Sequence, residues 1–180
     1  MQWNIPGTVI SADPENAGEI RRMFAGLFLT GGISLSQVCA ITGLEGYRVQ
    51  NWVQRKFVSP PVDKKYSENQ LCRILTIQLL KDTMSMEKIV KLLGYVNGAL
   101  ETESDDLIED SALYFLFDEL AAQVTLGQGN PERSIPEAVS ALPERVPGAN
   151  EKIQTVLKIM LYAWSAAMLR SKADTLMQTL

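Results

Sequence analysis

Apolar residues recur along this chain at helical spacing, and turn residues cut the pattern into short segments. The first clear run is Ile20, Met23, Phe24, Leu27 and Phe28, which share one face of a helix. Asp13 is placed to cap it, Pro14 to take its first position and Gly31-Gly32 to stop it, so an amphipathic helix is predicted from Pro14 to Leu29. Residues 1–13 carry the turn signal Pro6-Gly7 and otherwise read as irregular.

The pattern is richest from Ser34 to Asn97. Ser34 with Gln37 forms a capping box, Leu35, Val38 and Ile41 make a stripe, and Gly43 ends a helix of about two turns. A helix that short is marginal alone. The next helix starts at once, from Gly46 to Arg55, so the pair reads as a helix-turn-helix. Val49, Trp52 and Val53 point to the core, leaving Tyr47, Arg48, Gln50, Asn51 and Gln54 outside. Pro60 and Pro61 then force an extended loop or short hairpin. Ser67 with Gln70 opens a third helix through about Lys81, with Leu71, Ile74, Leu75, Gln78 and Leu79 on one face. Ser85 caps a fourth, Met86 to Leu93, expected to close at Gly94.

Beyond Asn97-Gly98 the chain is expected to be helical. A helix from about Asp106 to Val124, capped by Ser104 or Asp105, is apolar nearly all round at Leu113-Tyr114-Phe115-Leu116-Phe117, which predicts burial on several sides. Residues 127–148 hold four prolines and read as a loop with one helical turn near Pro136 to Leu142. The last helix, Asn150 to about Met177, is the longest. Ile153, Leu157, Met160 and Trp164 follow a four-three spacing, suited either to a second subunit or to packing within the chain.

Charge sharpens this division. The 180 residues carry a net charge of −4, but Ser34–Asn97 is positive and the stretch from Gly98 to Asn130 has acids and no bases. Arg48, Arg55, Lys56, Lys64 and Lys65 cluster around the second helix and the proline loop, the footprint of phosphate contact. The acidic run at Glu101, Glu103, Asp105 and Asp106 lacks the ligand spacing of a calcium loop and is better read as complementing a helix dipole.

Composition excludes much chemistry. Without histidine there is no Ser-His or Cys-His nucleophile pair, and Cys39 and Cys72 fall on apolar helix faces. No catalytic residue, metal site or cofactor is expected, and the chain does not read as an enzyme. The apolar runs fall short of the ~20 residues that span a bilayer, so no membrane contact and a cytoplasmic location are expected.

Thr42-Gly43-Leu44, Val49, Trp52, Phe57-Val58, the proline-bearing loop and Lys64-Lys65-Tyr66-Ser67-Glu68 together resemble the DNA-binding head of the mercury-resistance-regulator (MerR) family, a winged helix-turn-helix. Leu71, Ile74, Ile77, Met86, Ile89, Leu92 and Leu93 are similar to its next two helices. Gln50 and Asn51 stand where that family usually carries an arginine and a tyrosine, and Lys64 where it carries a wing arginine. The chain also resembles an uncharacterised bacterial family, domain of unknown function number 1836, through Trp52, Arg55, Pro60, Lys65-Tyr66-Ser67, Gln70-Leu71, Ile89, Leu92-Leu93, Asn97-Gly98 and Asp105-Asp106.

The expected architecture is therefore all-α: an N-terminal arm over 1–33, a MerR-like winged helix-turn-helix head over 34–97, and a helical C-terminal dimerisation or sensing domain over 98–180. The expected function is transcription regulation by a homodimer on double-stranded DNA, joined through its C-terminal helices. Arg48, Gln50 and Asn51 would meet base edges, with Tyr47, Arg55, Lys56, Lys64 and Lys65 on phosphates. The alternative is a protein-interaction module on the same scaffold without DNA affinity.

Overall fold

The computed structural model describes residues 3–100 and 105–180. The chain is mostly helical, with a few two-residue strands. Its start is a hairpin: β1 (Trp3–Asn4) pairs antiparallel with β2 (Ser11–Ala12), Trp3 opposite Ala12. The Pro6-Gly7 signal is where this hairpin turns, but 3–13 are ordered by burial, with Trp3 and Ile5 in the core. The Thr8 hydroxyl donates to the Ile5 carbonyl at 3.0 Å and accepts from the Ile10 amide at 3.0 Å, which closes the turn. Gly7, at φ 78°, is required there: a Cβ would lie 2.5 Å from the Leu75 carbonyl oxygen.

A 3-10 turn at Pro14–Asn16, capped by Asp13, leads into α1 (Ala17–Leu27). Its buried residues Ile20 and Phe24 face the molecule while Met23 stays 41% exposed. The Phe24 ring lies parallel to Tyr114 at 6.3 Å and edge-on to Phe115 at 5.8 Å. Tyr114 in turn donates its hydroxyl to the Pro6 carbonyl at 2.7 Å, so the arm, the hairpin and the tail share one aromatic cluster.

The middle of the chain supplies β3 (Ile33–Ser34), α2 (Leu35–Thr42), α3 (Gly46–Gln54), β4 (Lys65–Tyr66), α4 (Glu68–Leu80) and α5 (Met86–Asn97). Here β3 pairs antiparallel with β4, Ile33 opposite Tyr66. The one-sided stripe expected for α4 is instead burial almost all round, from Gln70 to Leu80 with Gln78 half-buried, because α2, α6 and α8 all pack on it. Helix α5 runs through Gly94, where a stop was expected, and closes at Gly98. Buried Val96 and Asn97 reward the extension, outweighing a glycine cost of ~1 kcal/mol.

The tail contains α6 (Asp110–Thr125), α7 (Pro131–Ser140) and α8 (Ala149–Met177). Asp105 does not cap α6; its carboxylate accepts from the Ala99 amide at 3.0 Å. The cap comes from another helix, as Asn69 of α4 accepts from the Ser111 amide at 3.1 Å. Ser104 and the acids Glu101 and Glu103 lie outside the described residues. The presumed loop of 127–148 contains the full helix α7: Asn130 caps it, Pro131 sits where no amide is needed, and Ile135 and Val139 are buried. The single turn expected near Pro136 to Leu142 is thus part of a longer helix that runs through Pro136, where burial of Ile135 and Val139 prevails over the amide that the proline lacks.

The four-three stripe of α8 is used within the chain. Ile153, Leu157, Met160 and Trp164 are all buried, with Trp164 edge-on to Phe117 at 6.1 Å. A second stripe, Ile159, Tyr162, Ala166, Leu169, Ala173 and Leu176, is exposed throughout, with the Tyr162 hydroxyl donating to Glu132 of α7 at 2.8 Å. From Leu169 onward every residue of the helix is exposed. Among the described residues no helix is long and apolar enough to cross a membrane.

Candidate nucleic-acid interface

Two caps fix α2 and α3 relative to each other. Ser34 accepts from the Gln37 amide at 3.3 Å while Gln37 Oε1 accepts from the Ser34 amide at 2.9 Å, and Gly43, at φ 69°, ends the helix in the left-handed conformation. After this turn Leu44 is buried, and Gly46 sits against Leu35 and Cys39. Val49 and Trp52 then enter the core, so the helical period leaves Tyr47, Arg48, Gln50, Asn51 and Gln54 exposed, as the apolar spacing predicts.

This outer face is polar and partly organised. Arg48 Nε donates to the Tyr47 hydroxyl at 3.3 Å, which raises the Arg48 pKa above its ordinary value. Tyr47, Arg48, Gln50, Asn51 and Gln54 line an open cleft of about 740 Å³, together with Lys81 and Met86. Those last two residues come from the end of α4 and the start of α5, far away in sequence. Nothing in the periodicity of α3 reveals them; the only signal was that Lys81 ends a helix and Ser85 begins the next.

At the C-terminal end of α3 the Arg55 guanidinium sits 4.7 Å from the centre of the Phe57 ring. Lys56 takes φ 62° there, and Phe57 returns its amide to the Trp52 carbonyl at 2.9 Å. The proline loop is then held by one buried side chain. Gln70 Nε2 donates to the Ser59 and Pro60 carbonyls, both at 2.9 Å, while Gln70 Oε1 accepts from the Ser67 amide at 2.8 Å. Gln70 was expected only as a capping partner; its reach to the loop was not legible from spacing.

A tight hairpin follows. Val62 and Lys65 exchange backbone hydrogen bonds at 3.1 and 2.8 Å, so Asp63 and Lys64 form a two-residue turn, at φ 49° and 63°. Both central residues need positive φ in the favoured hairpin turn, and Asn-Gly is the usual solution. Here a lysine occupies the position glycine fits best. Lys64 is exposed at this tip, whereas Lys65 donates its ammonium to the Thr30 carbonyl at 3.1 Å.

The structure therefore gathers Tyr47, Arg48, Gln50 and Asn51 into one cleft. Arg55 and Lys56 stand at its helix end, and Lys64 and Lys65 on the hairpin, where Lys65 borders a separate hollow with Gly32, Ser59 and Glu68. Burial pushes the Glu68 carboxyl up, against the opposing effect of Arg21. Neither cysteine is activated: burial raises the pKa of Cys39 and raises that of Cys72 well above its usual range.

A buried polar knot ties α4, α5 and α6. Arg73 Nε donates to Asp110 Oδ1 at 2.6 Å, and Asn97 Nδ2 donates to the same oxygen at 3.2 Å. All three side chains are buried.

Residues 34–117 match a family described as Domain of unknown function (DUF1836). That segment contains α2 to α5, the hairpin, the knot and the first half of α6. The chain is also similar to the uncharacterized protein YkrK of Bacillus subtilis (strain 168), at 31% identity over 86 residues, 46% of this chain and 37% of that relative. The match thus spans little more than a third of the relative's length. No solved structure matches the chain.

Proposed function

We propose that this protein is a DNA-binding transcriptional regulator of MerR-like type that acts as a homodimer on double-stranded DNA. In this reading α2 and α3 form the helix-turn-helix, α3 enters the major groove, and the Val62–Lys65 hairpin is the wing. The observation that carries it is the outer face of α3, where an arginine and two carboxamides stand exposed on a helix anchored by Val49 and Trp52. Arginine and amide side chains make paired hydrogen bonds to base edges. The lysine held at positive φ on the hairpin tip supports the reading, since backbone strain of this kind concentrates where a side chain is needed for function.

α8 supplies the surface for a dimer. Leu169, Ala173 and Leu176 keep the four-three spacing of a two-helix seam and lie on helix that the body of the molecule leaves bare. Two heads would also set a half-site spacing on DNA and bury more of it than one.

Fluorescence anisotropy on labelled duplexes tests the docking face. Gln50→Ala should relax sequence choice, losing ~1–3 kcal/mol of discrimination at one position, while Lys64→Ala should weaken all duplexes alike and flatten the salt dependence. Wild-type behaviour from both variants would remove this face from consideration. Affinity for protein partners that is insensitive to salt, with none for DNA, would favour an interaction module on the same scaffold.

A further inference from the structure

A second surface, apart from the α3 face, joins α5 to α8. Met84, Leu92, Tyr95, Thr155 and Ile159, with the stems of Lys88 and Lys91, line an open groove of about 350 Å³. The groove is wholly apolar inside, and Tyr95 and Ile159 remain 51% and 38% exposed. Its rim is cationic. Lys88 and Lys91 project from α5, and Lys152 of α8 holds its ammonium 5.3 Å from the centre of the Tyr95 ring. These three lysines are exposed, and none has a carboxylate within ion-pair distance among the described residues.

An apolar floor under unneutralised ammonium groups selects a ligand with a hydrocarbon body and an anionic head. Size narrows the choice further. The volume lies at the lower end of small-molecule pockets, roughly 300–1,000 Å³, and its seven lining residues are far fewer than the roughly 20–30 a side of a stable protein interface. We propose that this groove binds a free medium-chain carboxylate. Its chain lies between Leu92 and Ile159 and its head group meets Lys88, Lys91 and Lys152. The site does not depend on nucleic-acid binding by α3.

Isothermal titration of the full chain with dodecanoate, kept below its micelle concentration, tests this. The expected result is saturable binding of one dodecanoate per chain, weakened about tenfold or more when Lys88→Glu and Lys91→Glu are combined. Thr155→Trp, at an exposed position on the groove wall, should fill the groove and abolish binding. Dodecyltrimethylammonium, with the same tail and the opposite charge, should bind the wild-type chain at least about tenfold more weakly. That comparison needs no variant. Absence of saturable binding by the folded protein would overturn the proposal, as would equal affinity for the two amphiphiles or indifference to the lysine reversals. Adsorption to phosphatidylglycerol vesicles without binding of monomeric dodecanoate would assign the lysines to a membrane surface instead, and would also overturn it.

Discussion

Lys64 and Asp118 are the residues whose settings most clearly work against their own chemistry. Lys64 holds φ 63° where a glycine would be relaxed, at a cost of roughly 1–2 kcal/mol for an L-residue. Lys64→Gly should leave stability unchanged or raise it by up to about 1 kcal/mol, since glycine's entropy cost offsets part of the relief. The same change should weaken DNA binding, so denaturation and anisotropy on one variant separate a structural lysine from a functional one. Asp118 is a carboxyl only 1% exposed, with Oδ1 lacking a hydrogen-bond partner. Burial, with a smaller contribution from Glu119, pushes its pKa up from 3.8 to about 7. Between these values the unfolded chain releases the proton while the folded chain keeps it, so this group removes stability as pH rises from about 4 to 7. Above 7 the penalty is complete, roughly 4 kcal/mol. Asp118→Asn should therefore raise the melting temperature more at pH 8 than at pH 4; an equal gain at both, read by thermal denaturation, would contradict this.

At the scale of elements, the molecule is organised around α4, and the Arg73–Asp110–Asn97 knot explains how the tail is fastened to it. Arg73→Ala strands a buried carboxylate and should cost roughly 3–5 kcal/mol in chemical denaturation; a loss below about 1 kcal/mol would show that the pair does not hold α4 to α6. This fastening was hidden in the sequence. Arg73 looks like one more cation of a basic segment, and its partner is a first-turn aspartate that dipole arguments account for without it. What was legible was local: the Ser34–Gln37 and Ser67–Gln70 boxes, the Gly43 stop and the inward placement of Val49 and Trp52 all follow from short-range chemistry. Long-range packing decided the rest. It carried α5 through Gly94, built α7 around Ile135 and Val139 despite Pro136, and ordered the first hairpin by burying Trp3. The α3 half of the candidate site was readable from period alone, whereas Lys81 joined it only because α4 ends beside that helix.

For the whole molecule, one buried cluster runs from Trp3 to Trp164, linking arm, middle and tail. The end of α8 stands apart from it, with Leu169 and Leu176 exposed at 67% and 68%. Leu169, Ala173 and Leu176 have the spacing that would suit a second copy of the same helix. Leu169→Glu with Leu176→Glu should leave the fold intact, because neither residue touches the core, while sedimentation shifts from two copies to one. Identical sedimentation of wild type and variant would place any dimer contact elsewhere.

The most direct measurement is selection of random duplex DNA fragments by the purified chain at moderate salt, with sedimentation in the same buffer. The expected result is enrichment of an inverted repeat by a two-copy species, with enrichment lost on raising the salt. Recovery of no sequence above background, from protein with its helical spectrum intact, would contradict it.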